Sequence, residues 1–127
     1  MRLSGPFLDR VDLHVHVARL PRDVLQADTV GESSESVRTR VSIARAAQLQ
    51  RQGCVNRALS GKALVEFVSL SAESNKLLNE ASDKMVLSLR AVHRVLRVAR
   101  TIADLDGVAG VDVKHVVEAL SYRGQLT

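Results

Sequence analysis

The sequence predicts a mostly α-helical protein, a helix bundle led in by one short strand, and three observations carry that prediction. Residues 88–106 place apolar side chains around one broad arc at helical spacing. The chain holds only three aromatic residues, Phe7, Phe67 and Tyr122, so its core is built from Leu, Val, Ile and Ala, which suits close helix packing. Residues 11–17 alternate strictly between apolar and polar, and no other segment does so with equal strength.

A chain of 127 residues and 13.8 kDa fits one compact domain. With 46% hydrophobic and 25% charged residues it is neither wholly disordered nor a disulfide scaffold. No apolar stretch approaches the roughly 18 residues of a membrane span, and the N-terminus lacks a secretory signal, so a cytoplasmic location without a membrane partner is expected. Cys54 is the one cysteine, which excludes an intramolecular disulfide and a thiolate pair for zinc. The net charge of +4 is compatible with an anionic partner. Lysine supplies only Lys62, Lys76, Lys84 and Lys114, so the excess is arginine, whose planar fork grips phosphate with two bonds.

In the alternating run, Val11, Leu13, Val15 and Val17 line one strand face and Asp12, His14 and His16 the other. A lone strand leaves its backbone groups unpaired, so either it pairs with an unrecognised partner or the rest of its sheet lies outside this chain, the latter being expected; the other outcomes are that it packs on the helices or frays. A turn fits between Arg22 and Gln26, and a polar connector ends at Gly31-Glu32-Ser33-Ser34. Ser33 or Ser34 caps a helix to about Gln52, with Val37, Val41, Ala44 and Gln48 recurring at helical spacing and Gly53 as its stop. A loop follows from Cys54 to Leu59. Ser60 caps a short helix through about Val68, and Ser71 caps one to about Val86 with Leu77, Leu78, Ala81 and Met85 inward. In the helix from Ser88 to Asp106 the arc comprises Val92, Val95, Leu96, Ala99, Ile102, Ala103 and Leu105. Arg90, Arg94 and Arg97 stack on the opposite face with His93 and Arg100 beside them. Asp112 caps a last helix to about Tyr122, with Val116, Val117 and Leu120 inward.

Catalytic motifs are incomplete. Gly61-Lys62-Ala63 falls short of a phosphate-cradling P-loop, because Ala63 lacks the hydroxyl and Asn56 occupies the first glycine's place, so it reads as a helix start. His14 and His16 offer two metal ligands with no third in pattern, so no metal site is expected and they read as polar strand residues. No Ser-His-Asp or Cys-His arrangement has supporting context. The arginines carry more. Arg90 falls in the first turn of its helix, where free backbone N–H groups favour phosphate, and Arg94 and Arg97 extend that face. A solvated amphipathic helix, with Arg97 paired to Asp104 or a neighbour, explains the same spacing. Arg10, between Asp9 and Asp12, reads on spacing as a local salt bridge or a loop anchor.

The segment from Ser4 to Val15, SGPFLDRVDLHV, resembles the lead-in of magnesium-chelatase-like AAA+ ATPases of the YifB/ComM family. The resemblance continues through Gly31-Glu32-Ser33-Ser34, Arg38-x-Arg40-Val41, Ala44-Arg45 and Leu59-Ser60-Gly61-Lys62. It is strongest from Leu87 to Leu105, LSLRAVHRVLRVARTIADL, and closes with Glu118-Ala119-Leu120-Ser121-Tyr122-Arg123. It implies the C-terminal part of such an ATPase, with residues 1–26 as the edge of the α/β core and 27–127 as the helical lid. By resemblance Arg10 matches the arginine finger that reaches ATP in the neighbouring subunit, and Arg90 the sensor 2 residue that contacts phosphates from its own subunit. Arg94 and Arg97 would support that site. ATP and Mg2+ are implied for the full-length protein and none for this chain, whose upstream Walker segments are missing, so it is not expected to hydrolyse ATP alone. Met1 directly before the matching segment fits a start placed there or a shortened reading frame. The resemblance further implies the remaining ATPase chain and neighbouring subunits of a homo-hexamer as partners, with DNA branch migration in natural transformation as the activity. The alternative is a stand-alone basic helical module that binds DNA through Arg90, Arg94, Arg97 and Arg100, or an oligomerisation piece.

Overall fold

The computed structural model describes residues 6–7, 10–15, 17–18 and 31–123. Ser4, Gly5, Asp9, His16 and the turn expected between Arg22 and Gln26 lie outside the described residues. Among those described the protein is mostly helical, as the sequence predicts, with five α-helices.

Local rules place each of them. Helix α1 (Ser34–Gln52) starts at Ser33, whose hydroxyl accepts the Ser36 N–H at 3.1 Å. It stops at Gly53, whose φ of 78° would strain any side chain bearing a Cβ. The expected loop then holds a 3-10 turn (Asn56–Ala58). Helix α2 (Gly61–Val68) begins where Gly61-Lys62-Ala63 reads as a helix start; Ser60 occupies the cap position without a side-chain bond. Ser71 caps α3 (Ala72–Met85) and Ser88 caps α4 (Leu89–Leu105), each accepting the N–H three residues on at 3.1 Å. Asp112 precedes α5 (Val113–Ser121).

The core forms around α4, which packs on α1, α2, α5 and the 3-10 turn, while α3 packs on α5. Val95, Leu96, Ala99 and Ala103 of α4 meet Leu64 and Val68 of α2, Leu78 of α3, and Val116 and Ala119 of α5. Leu70 and Val111 form one parallel bridge that ties the α2–α3 connection to the α4–α5 connection. The buried Ser74 hydroxyl donates to the Val111 carbonyl at 3.1 Å and secures the same junction.

Several inward positions differ from expectation. Of the α1 residues at helical spacing only Ala44 and Gln48 are buried, while Val41 is 43% and Val37 37% exposed. Met85, Leu105 and Val117 are also exposed, each near a helix end or at the margin of its apolar face.

The alternating run needs a correction. Its described residues form no strand, and the face that spacing assigns to a core is turned outward, Leu13 being 48% and Val15 58% exposed. His14, expected on the polar side, is buried. The segment instead lies against α4 and the end of α5. The His14 N–H donates to the Tyr122 carbonyl at 2.8 Å, Arg123 donates to the Val11 carbonyl at 2.6 Å, and Asp12 pairs with Arg94. No described strand offers it a ladder, so helix-end carbonyls and side chains satisfy its backbone.

Candidate functional site

The site is assembled at the start of α4. Val86 ends α3 with φ 51°, a left-handed conformation that costs a β-branched residue on the order of 1–2 kcal/mol. The Leu87 N–H closes that turn on the Ser82 carbonyl at 3.0 Å. The chain then re-enters a helix at once, with Ser88 at the cap and Arg90 in the first turn. That turn carries no acidic residue. Arg90 is exposed, and among the described residues its guanidinium has no hydrogen bond or ion pair. A cation at the positive end of a helix is unfavourable by about 0.3–1 kcal/mol, so packing gives no reason for Arg90. An anion bound there would supply one.

The remaining arginines of the stripe diverge from it. Arg94 is half-buried and forms its ion pair with Asp12, while its Nε lies buried without a partner. Arg97 does not pair with Asp104; its Nε donates to the Leu59 carbonyl at 2.8 Å and anchors the start of α2. Arg100 leaves the solvated face altogether, with 0% of its surface exposed. Its Nη1 donates to the carbonyls of Val68 (3.3 Å) and Ala109 (2.7 Å), and its Nη2 to that of Val108 (3.0 Å). Arg10 lies exposed in a turn closed by its N–H on the Phe7 carbonyl at 3.0 Å. Asp12, one of the two carboxylates flanking Arg10 in sequence, is taken by Arg94.

Burial of Arg100 is balanced by Asp104 one turn later, 3.0 Å away. The same carboxylate accepts both terminal nitrogens of Arg51 at 2.8 and 3.1 Å, and Asn56 Nδ2 at 2.9 Å. Burial alone would raise the Asp104 pKa. The hydrogen bonds from Arg51 and Asn56 and the charges of Arg100 and Arg51 outweigh it and hold the carboxyl below its ordinary value. Burial is also the largest influence on Arg100 and lowers its pKa, against the opposing pull of Asp104. This network joins α1, the 3-10 turn and α4 and is structural. The Arg100–Asp104 spacing of four is a legible signal, whereas Arg51 and Asn56 come from 53 and 48 residues away with none.

His115 is a second residue that the sequence reading passes over. It takes the place of the Glu or Gln of a capping box, its Nδ1 accepting the Asp112 N–H at 2.9 Å. Its Nε2 then meets Asp106 at 3.0 Å, and the hydrogen bonds from His115 and Lys114 hold the Asp106 carboxyl below its usual range.

Residues 31–123 match the family profile described as magnesium chelatase, subunit ChlI C-terminal. The chain is 43% identical over 126 residues to the competence protein ComM of Haemophilus influenzae, covering 98% of this chain and 25% of that protein. It is 42% identical over 123 residues to the uncharacterised protein YifB of Escherichia coli, covering 96% of this chain and 24% of that protein. YifB of Salmonella typhimurium matches at 40% identity with the same coverage. The chain thus spans about a quarter of the length of these relatives.

Proposed function

The chain belongs to the magnesium chelatase ChlI C-terminal family, and from that premise we propose that it is the helical lid of an AAA+ ATPase, residues 27–127, joined to the edge of its α/β core, residues 1–26. In this reading Arg90 is the sensor 2 residue that contacts ATP phosphates from its own subunit. Arg10 is the arginine finger that reaches ATP bound by the neighbouring subunit of a hexameric ring. ATP and Mg2+ belong to the whole assembly.

The observation that carries the reading is the contrast within one stripe: Arg90 stands exposed in an acid-free first turn, while Arg94, Arg97 and Arg100 are engaged in bonds within the fold. Backbone N–H groups and the positive helix end would receive a phosphate beside Arg90. Arg94 and Arg97 support it by fixing α4 against the lead-in segment and α2. A guanidinium brought in trans neutralises charge that develops during phosphoryl transfer, which makes hydrolysis depend on assembly. The basic composition and the likeness to a competence protein support DNA remodelling, branch migration in natural transformation, as the work driven by that hydrolysis.

The test uses a full-length ATPase that carries this sequence. Arg10→Ala is expected to lower kcat by about a thousandfold or more with ATP binding preserved, and Arg90→Ala to weaken ATP binding by about tenfold. Unchanged turnover in Arg10→Ala rejects the finger; unchanged nucleotide affinity and turnover in Arg90→Ala reject the sensor. The alternative, a basic module that grips DNA by four arginines of one helix, is weakened by the complete burial of Arg100.

A further inference from the structure

We infer that the crevice between α1, the 3-10 turn and α4 is a binding site for a phosphate group, separate from the nucleotide site proposed around Arg90 and not resting on it. The crevice encloses about 410 Å³, and its polar walls are Arg45 and Gln48 of α1, Asn56 and Arg57 of the 3-10 turn, and Thr101 of α4. Among the described residues no acidic side chain lines it. Thr101 lies eleven residues beyond Arg90, about 16 Å along the helix axis at 1.5 Å per residue, so one phosphate cannot touch both.

The polar groups of the crevice are unequally satisfied. Its acceptors are used: Gln48 Oε1 takes the Asn56 N–H at 2.8 Å, and Thr101 Oγ1 takes Asn56 Nδ2 at 3.0 Å while giving its own hydrogen to the Arg97 carbonyl. Asp104, the nearest carboxylate to Asn56, is occupied by Arg51, Arg100 and Asn56 itself. Its donors are left over. The bond to Asn56 fixes the orientation of the Gln48 amide, and its NH2 has no partner among the described residues. Arg45 and Arg57 reach the same space, and neither has a hydrogen bond or ion pair among the described residues. Two guanidinium groups and a positioned amide, with the adjoining Asp104 already occupied, are donors suited to an oxyanion. A phosphate satisfies all three.

Two sources present that chemistry, free inorganic phosphate and the backbone phosphates of a nucleic acid strand. Calorimetric titration of the chain at low salt with inorganic phosphate, and separately with a thymidine oligonucleotide, distinguishes them. Binding of phosphate itself identifies the small anion, and binding of the oligonucleotide alone identifies the strand. In either case Arg45→Gln and Arg57→Gln each weaken binding by about tenfold. Arg38→Gln, on the exposed part of the same helix and outside the crevice, changes it by less than about twofold. Gln48→Glu keeps the acceptor for Asn56 and sets a negative charge among the arginines, so the chain retains its helical circular dichroism and loses binding. Absence of binding by both ligands, an equal loss in Arg38→Gln, or full binding by Gln48→Glu overturns the assignment.

Discussion

The two ends of α4 treat the same side chain in opposite ways. At its start Arg90 is exposed with no described partner; ten residues later Arg100 is completely buried among three carbonyls and a carboxylate. The helix itself gives Arg100 a carboxylate one turn later and gives Arg90 none, and packing adds the rest. α1 and the 3-10 turn pack over the second half of α4, and the network of Arg51, Asn56 and Asp104 comes with them. Over the first half the lead-in segment reaches Arg94 through Asp12 and leaves the leading arginine exposed. Two arginines of one helix are therefore set apart by a carboxylate one turn on and by the elements packed above it.

That contrast is tested most sharply by removing Arg100. Arg100→Ala leaves three buried carbonyls without their donor and opens a cavity, and is expected to cost about 3–5 kcal/mol in urea unfolding. A cost below about 1 kcal/mol would mean that the buried Arg100 contacts add little to the fold. Asp104→Asn follows, at about 2–4 kcal/mol, because it leaves Arg100 and Arg51 facing a neutral amide. Its pH dependence has a definite sign. A carboxyl held below its ordinary value in the folded state stabilises the protein above about pH 4 and loses that contribution as the pH falls through the folded value. The wild-type urea midpoint should drop on acidification below pH 4, and Asp104→Asn should remove this share of the drop.

Smaller effects probe the open end. Ser88→Ala removes the cap that orients the first turn and is expected to cost about 1 kcal/mol, read from the thermal midpoint. Asp12→Asn frees Arg94 and is expected to cost less than about 1 kcal/mol, since Asp12 is nearly half exposed. Its signature is faster hydrogen exchange at the His14 amide, which is bonded to Tyr122. Arg90→Glu is expected to raise stability by about 0.3–1 kcal/mol, because an acid suits the helix start better than a base. A stabilised variant that also loses nucleotide contact in the full-length ATPase would mark Arg90 as kept for its ligand; a destabilised one would give it a structural task.

Much of the architecture is legible along the chain because its signals are local. Ser33, Ser71 and Ser88 cap helices through bonds spanning three residues, and Gly53 ends one by its own backbone freedom. The arc of α4 is likewise a property of 3.6-residue spacing. The alternating run misleads for the complementary reason. Period two shows that residues 11–17 suit a sheet, and does not supply one, so the segment settles on the helices with His14 inward and Leu13 and Val15 outward.

The sequence by itself determined the helices, their caps, the basic composition and, through the family match over residues 31–123, the kind of domain this is. Only the tertiary structure decided which arginines are spent on the fold and which remain free. Capping and periodicity act within a turn or two, where the chain is its own neighbour. Burial of Arg100, capture of Asp12 by Arg94 and the empty donors of the Arg45–Arg57 crevice depend on segments brought together from distant parts of the sequence.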